Sequence, residues 1–137
     1  SPAGALGLMQ VMPRTAEFEA KKLGREFSQK ELLTNKQYNI DIGSSFLKTL
    51  IEKFDGSKIL SIAAYNAGPY RVANWVQEFG DPRLEGVDPL VWIELIPFSE
   101  TRNYVKRVME ANWIYTGKFS KKPMVLDMAR RNFGHEF

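Results

Sequence analysis

The sequence predicts an all-α protein. Apolar residues recur at the 3.6-residue spacing of amphipathic helices, most clearly between Asn39 and Phe54. Residues that begin or end helices, mainly serine, proline, aspartate and glycine, separate these stretches. No stretch of useful length alternates apolar and polar residues as a half-buried strand does, and the sequence contains no internal repeat.

Six helices are expected along most of the chain, each with its own start or stop signal. In order they cover residues 13–23, 39–54, 58–65, 72–79, 89–94 and 99–115. The third is apolar on nearly all sides, which is typical of a buried central helix. Ser57 and Ser99 are the expected N-caps of the third and sixth helices. After a linker at residues 120–123, a short basic amphipathic segment is expected at residues 124–133.

The composition narrows the chemistry. A length of 137 residues suits one domain with one core. The chain has no cysteine, which excludes disulfides and thiolate zinc sites, and its single histidine is His135. Serine–histidine catalysis and histidine-rich metal sites are therefore not expected, and neither is any metal or cofactor. Carboxylates and tyrosines remain as the candidate chemical groups.

The charge distribution bears on possible partners. There are 19 Lys and Arg against 16 Asp and Glu, a mildly basic balance that favours an anionic polymer. The basic residues are scattered rather than gathered on one face, so nucleic acid is not expected as a partner. No apolar run approaches the roughly 20 residues that span a bilayer, so no transmembrane segment is expected. The oligomeric state cannot be predicted from these features.

The first motif covers residues 4–13, Gly-Ala-Leu-Gly-Leu-Met-Gln-Val-Met-Pro. One interpretation is an apolar helix start in which Met9 and Met12 fill the core. Gln10 fits that interpretation poorly, because an amide among apolar neighbours needs hydrogen-bond partners. A groove for N-acetyl sugars would supply those partners.

The second motif covers residues 63–68, Ala-Ala-Tyr-Asn-Ala-Gly. It is typical of a helix C-terminus at which Gly68 adopts a left-handed conformation. That explains the glycine but not the pair before it. Tyr65 offers a sugar both a flat apolar face and a hydroxyl, and the Asn66 amide can both donate to and accept from an acetamido group.

The third and fourth motifs are neighbours, at residues 92–98 and 99–105. Glu94 is the lone carboxylate of an apolar stretch. It is either an ordinary exposed or ion-paired residue or a partly buried acid that lines a cleft. In the fourth motif, Ser99 and Glu100 suit a helix N-terminus, and Tyr104 is expected to face inward, where its hydroxyl needs a partner such as a catalytic carboxylate.

The order and spacing of the four motifs resemble the soluble lytic murein transglycosylases, the SLT-domain family. That family's pattern is Glu-Ser, then Ser-Pro-x-Gly-Ala-x-Gly-Leu-Met-Gln, then Ala-Tyr-Asn-Ala-Gly, then Glu-x-Ile-Pro-Phe-x-Glu-Thr-Arg-x-Tyr-Val. Every element except Glu-Ser is present here in that order. The resemblance implies a goose-type lysozyme-like helical fold. It covers residues 1–119 as a catalytic domain and leaves residues 120–137 as an unassigned C-terminal extension.

The resemblance also implies an activity. The family cleaves the β-1,4 bond between N-acetylmuramic acid and N-acetylglucosamine in peptidoglycan and forms a 1,6-anhydromuramoyl product. A single glutamate acts first as acid and then as base, and the substrate's acetamido group assists. This glutamate belongs to the Glu-Ser motif, so we expect it upstream of Ser1. The 137-residue chain alone is therefore expected to lack lytic activity.

Roles for individual residues follow from the same resemblance. Ser1 and Tyr104 are expected to support the glutamate, and five residues are expected to bind substrate. These are Gln10, Met12, Tyr65, Asn66 and Glu94. Glycan strands of peptidoglycan are the expected partner, in the periplasm or cell envelope of a bacterium.

Two other functions stay open. A goose-type lysozyme would use water in place of the C6 hydroxyl and leave a reducing muramic acid. A non-catalytic peptidoglycan-binding module would keep the groove without the acid. The Ala-Tyr-Asn-Ala-Gly element favours the transglycosylase.

Overall fold

The computed structural model describes residues 4–5 and 9–116, except for the side chains of residues 113–116. Within these residues the regular elements are seven α-helices. They are α1 (Pro13–Lys22), α2 (Gln29–Thr34), α3 (Lys36–Lys53), α4 (Lys58–Ala67), α5 (Pro69–Phe79), α6 (Pro89–Leu95) and α7 (Ser99–Thr116). The all-α prediction is confirmed for this part of the chain. None of these described helices is both long and apolar enough to cross a membrane.

The described residues divide into two compact units, the first ending at Lys48 and the second beginning at Thr49 within α3. In the first unit, α1 begins with Pro13 at a position where the missing N–H costs nothing. The connection to α2 is held by Tyr38, whose hydroxyl donates to the Glu26 carbonyl and accepts from the Ser28 N–H, both at 3.1 Å. The buried apolar side chains of this unit are Met9, Val11, Ala16, Ala20, Leu32, Tyr38, Ile42 and Leu47.

In the second unit, α4 packs against both α5 and α7, and α6 packs against α7. Every residue of α4 from Leu60 to Tyr65 is buried, as its apolar sequence predicts. Ser57 caps the helix by accepting from the Leu60 N–H at 3.2 Å. The prediction of a buried central helix with a Ser57 cap is therefore confirmed.

The loop before α6 is fixed at both of its ends. Arg83 pairs with Asp81 at 2.8 Å and with Asp55 at 3.2 Å. At the other end, Asp88 accepts from the Leu90 N–H at 2.9 Å and caps α6. The buried Trp92 indole then donates to the Gly80 carbonyl at 2.9 Å. The loop therefore spans a short, pinned path between α5 and α6.

The described helices differ from the sequence-based expectation at several points; α4 ends at Ala67 and α5 begins at Pro69, both beyond the expected bounds. Helix α2 was not predicted, although Ser28 caps it by accepting from the Glu31 N–H at 3.1 Å. Helix α3 begins at Lys36 rather than Asn39. Ser99 is the first residue of α7 rather than its cap, because the Phe98 carbonyl accepts from the Arg102 N–H at 2.9 Å. The linker at 120–123, the segment at 124–133 and the wider extension 120–137 lie outside the described residues.

Candidate active site

The tyrosine–asparagine pair lies in the last turn of α4. The helix ends at Ala67, and Gly68 follows with φ +94°, a left-handed conformation that suits glycine. The Gly68 N–H closes the helix by donating to the Ala64 carbonyl at 2.8 Å. Tyr65 is buried and Asn66 is half-buried, so Asn66 is the partly open member of the pair.

Two buried residues of α7, one turn apart, lie beside this pair. Thr101 Oγ1 donates to Asn66 Oδ1 at 2.7 Å. Burial raises the pKa of the Tyr65 hydroxyl well above its usual value, and the neighbouring Tyr104 raises it further. Tyr65 therefore stays a neutral hydroxyl at physiological pH. The structure thus brings together Tyr65, Asn66 and Tyr104, three residues that the sequence assigned to the site, and adds Thr101 to them.

Glu94 is placed differently. It lies on α6 with its side chain 56% exposed and pairs with Lys106 of α7. Of the two alternatives for Glu94, the structure shows the exposed, ion-paired residue and not the partly buried acid, because Trp92 and Ile93 take the buried positions of the short helix α6. The pair presents one negative and one positive group at the surface of the second unit.

The connection between α6 and α7, residues 96–98, is held by two arginines. Arg102 donates to the Ile96 carbonyl at 2.9 Å. The Arg71 guanidinium lies 4.8 Å from the centre of the Phe98 ring, a cation–π contact. The Phe98 ring also contacts the Trp75 ring in a T-shaped arrangement. The ring centres are 5.5 Å apart and the ring planes meet at 85°. These contacts fix where α7 begins and so where Thr101 and Tyr104 lie.

The first unit carries two other predicted residues, Gln10 and Met12. Gln10 is half-buried with φ +50°, an unusual conformation for a residue other than glycine. The turn is held by Asn39, whose side chain accepts from the Met9 N–H at 2.6 Å and donates to the Leu32 carbonyl at 2.9 Å. Met12 is 42% exposed, whereas Met9 is fully buried and fills the core.

Glu19 is a buried carboxylate that the sequence did not mark. Its Oε1 accepts from the Ser45 hydroxyl at 2.6 Å, and Lys22 lies 3.7 Å away. These partners account for it as a framework group of the first unit. Among the described residues, no three His, Asp or Glu side chains are grouped so that they could hold a metal ion.

Sequence reasoning missed three residues that bond predicted site residues or the turn beside them: Thr101 and Lys106 in the second unit, and Asn39 in the first. Thr101 stands inside the fourth motif, but its partner is 35 positions away, and nothing local marks the contact. Ser1 lies outside the described residues.

Comparison with known proteins decides the family. Residues 1–84 match the Transglycosylase SLT domain. The chain belongs to this family. It is 39% identical over 127 residues to the soluble lytic murein transglycosylase of Escherichia coli strain K12, covering 92% of this chain and 19% of that protein. The chain thus spans about a fifth of the length of that relative.

Two solved structures share the SLT-domain fold. The 70 kDa soluble lytic transglycosylase of Escherichia coli is 40% identical with a TM-score of 0.70, covering 91% of this chain and 20% of that one. The lytic transglycosylase Slt of Pseudomonas aeruginosa, solved as an inactive glutamate-to-glutamine mutant, is 36% identical with a TM-score of 0.67. That match covers 94% of this chain and 17% of that one. The predicted family and its lysozyme-like fold class are confirmed.

Proposed function

We propose that this chain is the SLT domain of a peptidoglycan lytic transglycosylase, with residues 1–119 as its catalytic domain. The observation that carries the proposal is the cluster of Tyr65, Asn66, Thr101 and Tyr104 at the end of α4 and the start of α7. It combines an amide for an acetamido group with neutral hydroxyls. In this family, relatives that carry the domain are named lytic transglycosylases.

The proposed reaction uses one glutamate, the one of the family's Glu-Ser motif. As an acid it protonates the oxygen that leaves N-acetylmuramic acid, and the bond between that oxygen and C1 breaks. The neighbouring acetamido group stabilises the positive charge at C1. The glutamate, now a carboxylate, accepts the proton of the C6 hydroxyl, whose oxygen bonds to C1 and closes the 1,6-anhydro ring.

Other residues of the chain would act around that glutamate. Tyr104, buried on α7, and Ser1 would orient it, and its start as an acid near neutral pH requires a dry surrounding that raises its pKa. Asn66 would hold an acetamido group. Gln10 and Met12 of the first unit, and Glu94 with its partner Lys106, would contact other parts of the glycan strand. The periplasm or cell envelope is where this substrate occurs.

Product analysis tests this function. The protein expressed from its complete gene is incubated with purified peptidoglycan, and the soluble products are separated and weighed by mass spectrometry. Anhydromuropeptides, one water lighter than hydrolysis products, are the expected result. Reducing muropeptides would instead make the protein a goose-type lysozyme, and binding without cleavage would make it a peptidoglycan-binding module.

A matched pair of variants ties the activity to the cluster. Asn66→Ala should lower the rate at subsaturating substrate by about tenfold or more, because a polar group of the ligand loses its partner. Asn74→Ala is the control, since Asn74 is an exposed asparagine of α5. Equal rates in the two variants would remove the cluster from the proposal.

A further inference from the structure

The orientation of the Asn66 amide is set from α7. A threonine hydroxyl can donate one hydrogen bond, and Thr101 donates its own to Asn66 Oδ1 at 2.7 Å. Thr101 is 1% exposed, so water does not compete for that bond. The amide oxygen of Asn66 is thereby held toward α7. Because the amide group is planar, its nitrogen points away from Thr101.

The Asn66 nitrogen is available to a ligand. Within the described residues, the Asn66 side chain makes no hydrogen bond other than the one it accepts from Thr101. Asn66 is half-buried at the last turn of α4, and with its oxygen bonded to the buried Thr101, the NH2 group is the part of the amide left for a ligand. Such a group offers donors alone, and a carbonyl oxygen is the ligand atom that fits them.

We propose that Thr101 is a positioning residue that makes the site selective for the acetamido carbonyl of an N-acetylated sugar. The inference rests on the proposed function. With the threonine hydroxyl present, Asn66 offers its nitrogen to the sugar. Without that hydroxyl, the amide can turn over and offer its oxygen, which repels a carbonyl. Thr101 therefore governs which sugar is preferred rather than whether the helix folds.

Affinity measurements on the 137-residue chain test this selectivity. Titration calorimetry compares a peptide-free GlcNAc–MurNAc tetrasaccharide with an analogue that carries hydroxyls in place of the acetamido groups. Thr101→Val removes the hydroxyl and keeps the branched shape, and Thr101→Ser restores a hydroxyl. Ser61→Ala is the control, since Ser61 is also buried and its hydroxyl donates to the Ser57 carbonyl at 2.6 Å.

The expected result is a change in preference. Thr101→Val should bind the N-acetylated ligand about 3–10-fold more weakly, the equivalent of one hydrogen bond, and should bind the hydroxyl analogue as the wild type does. Thr101→Ser and Ser61→Ala should keep the wild-type preference. In an Asn66→Ala background, Thr101→Val should have no further effect on affinity.

Two results would overturn the inference. The first leaves the proposed function intact, and the second contradicts the proposed function as well. If the wild type binds the N-acetylated ligand but Thr101→Val binds it equally well, or loses both ligands in the same proportion, Thr101 is a structural residue and the proposed function stands. If the wild type binds neither ligand, the proposed function fails together with the inference.

Discussion

The buried polar side chains of Asn39 and Glu19 in the first unit and of Thr101 in the second serve different ends. In the first unit, Asn39 bonds the backbone at Met9 and Leu32, and Glu19 bonds Ser45. In the second, Thr101 bonds the side chain of a half-buried residue, Asn66. A hydrogen bond to backbone fixes the path of the chain, whereas one to a half-open amide fixes what a ligand meets. The two kinds should therefore separate stability from recognition.

The largest expected loss of stability comes from Asn39→Leu. The substitution keeps the volume but leaves the Met9 N–H and the Leu32 carbonyl without their partner. Two buried backbone groups without partners should lower the free energy of unfolding by about 2–4 kcal/mol. Urea denaturation measures it, with the exposed Gln37→Ala as the control. Equal midpoints for both variants would show that Asn39 does not hold the turn that carries Gln10.

Ser45→Ala should have the next largest effect. The substitution removes the hydroxyl that donates to the buried Glu19 carboxylate at 2.6 Å. Hydrogen bonds to charged groups contribute about 1.5–3 kcal/mol, and the unfolding free energy should fall by that amount. Ser44→Ala, one position earlier on α3 and half-buried as well, should change it by less than about 0.5 kcal/mol. A reversed order of the two variants would contradict the framework role of Glu19.

In the second unit, Tyr65 should make stability depend on alkaline pH. Its folded pKa is raised above that of the unfolded chain, so its contribution is complete below about pH 10 and declines above it. The unfolding free energy should fall by about 1.4 kcal/mol per pH unit from this group. Tyr65→Phe should remove that part of the slope, while Tyr70→Phe, at an exposed position, should leave the slope unchanged. An unaltered slope in Tyr65→Phe would argue against a buried hydroxyl.

The smallest effect is expected at the loop before α6. The Arg83 side chain, through its hydrogen bond, lowers the pKa of the Asp81 carboxyl. Because the folded pKa is depressed, the stabilisation is present above the unfolded pKa near 4 and is lost as pH falls through the folded value. Arg83→Gln should raise the Asp81 pKa in an NMR titration. It should cost less than about 1 kcal/mol at pH 7, as surface pairs do. An unshifted Asp81 titration would show that Arg83 does not hold the loop.

Much of the fold was predictable because it depends on local signals. Three features are each encoded within a few residues, and the structure confirms all three predictions. They are the Ser57 cap, the buried helix α4 and the left-handed Gly68 at its end. Helix α2 has only six residues, too few for a periodic apolar pattern. The capping signal of Ser28 and Glu31 alone does not predict it.

The site was predictable only in part, for a physical reason. The order of the motifs predicts that Tyr65, Asn66 and Tyr104 belong to the site, but it does not predict the contacts that orient them. Thr101 meets Asn66, and Lys106 meets Glu94, only because α7 packs along α4 and α6. The exposure of Glu94 likewise depends on which face of α6 is covered. Such facts arise from packing between helices and are absent from any single stretch of sequence.

A residue-resolved NMR titration of the chain with the GlcNAc–MurNAc tetrasaccharide tests most directly whether the cluster at Asn66 binds the glycan. The side-chain amide of Asn66 and the backbone amides of Tyr65 and Thr101 should shift. The indole N–H of Trp92, buried and bonded to Gly80 in the same unit, should not. Binding that leaves Asn66 unshifted, or no binding at all, would contradict the claim that this cluster recognises an N-acetylated glycan.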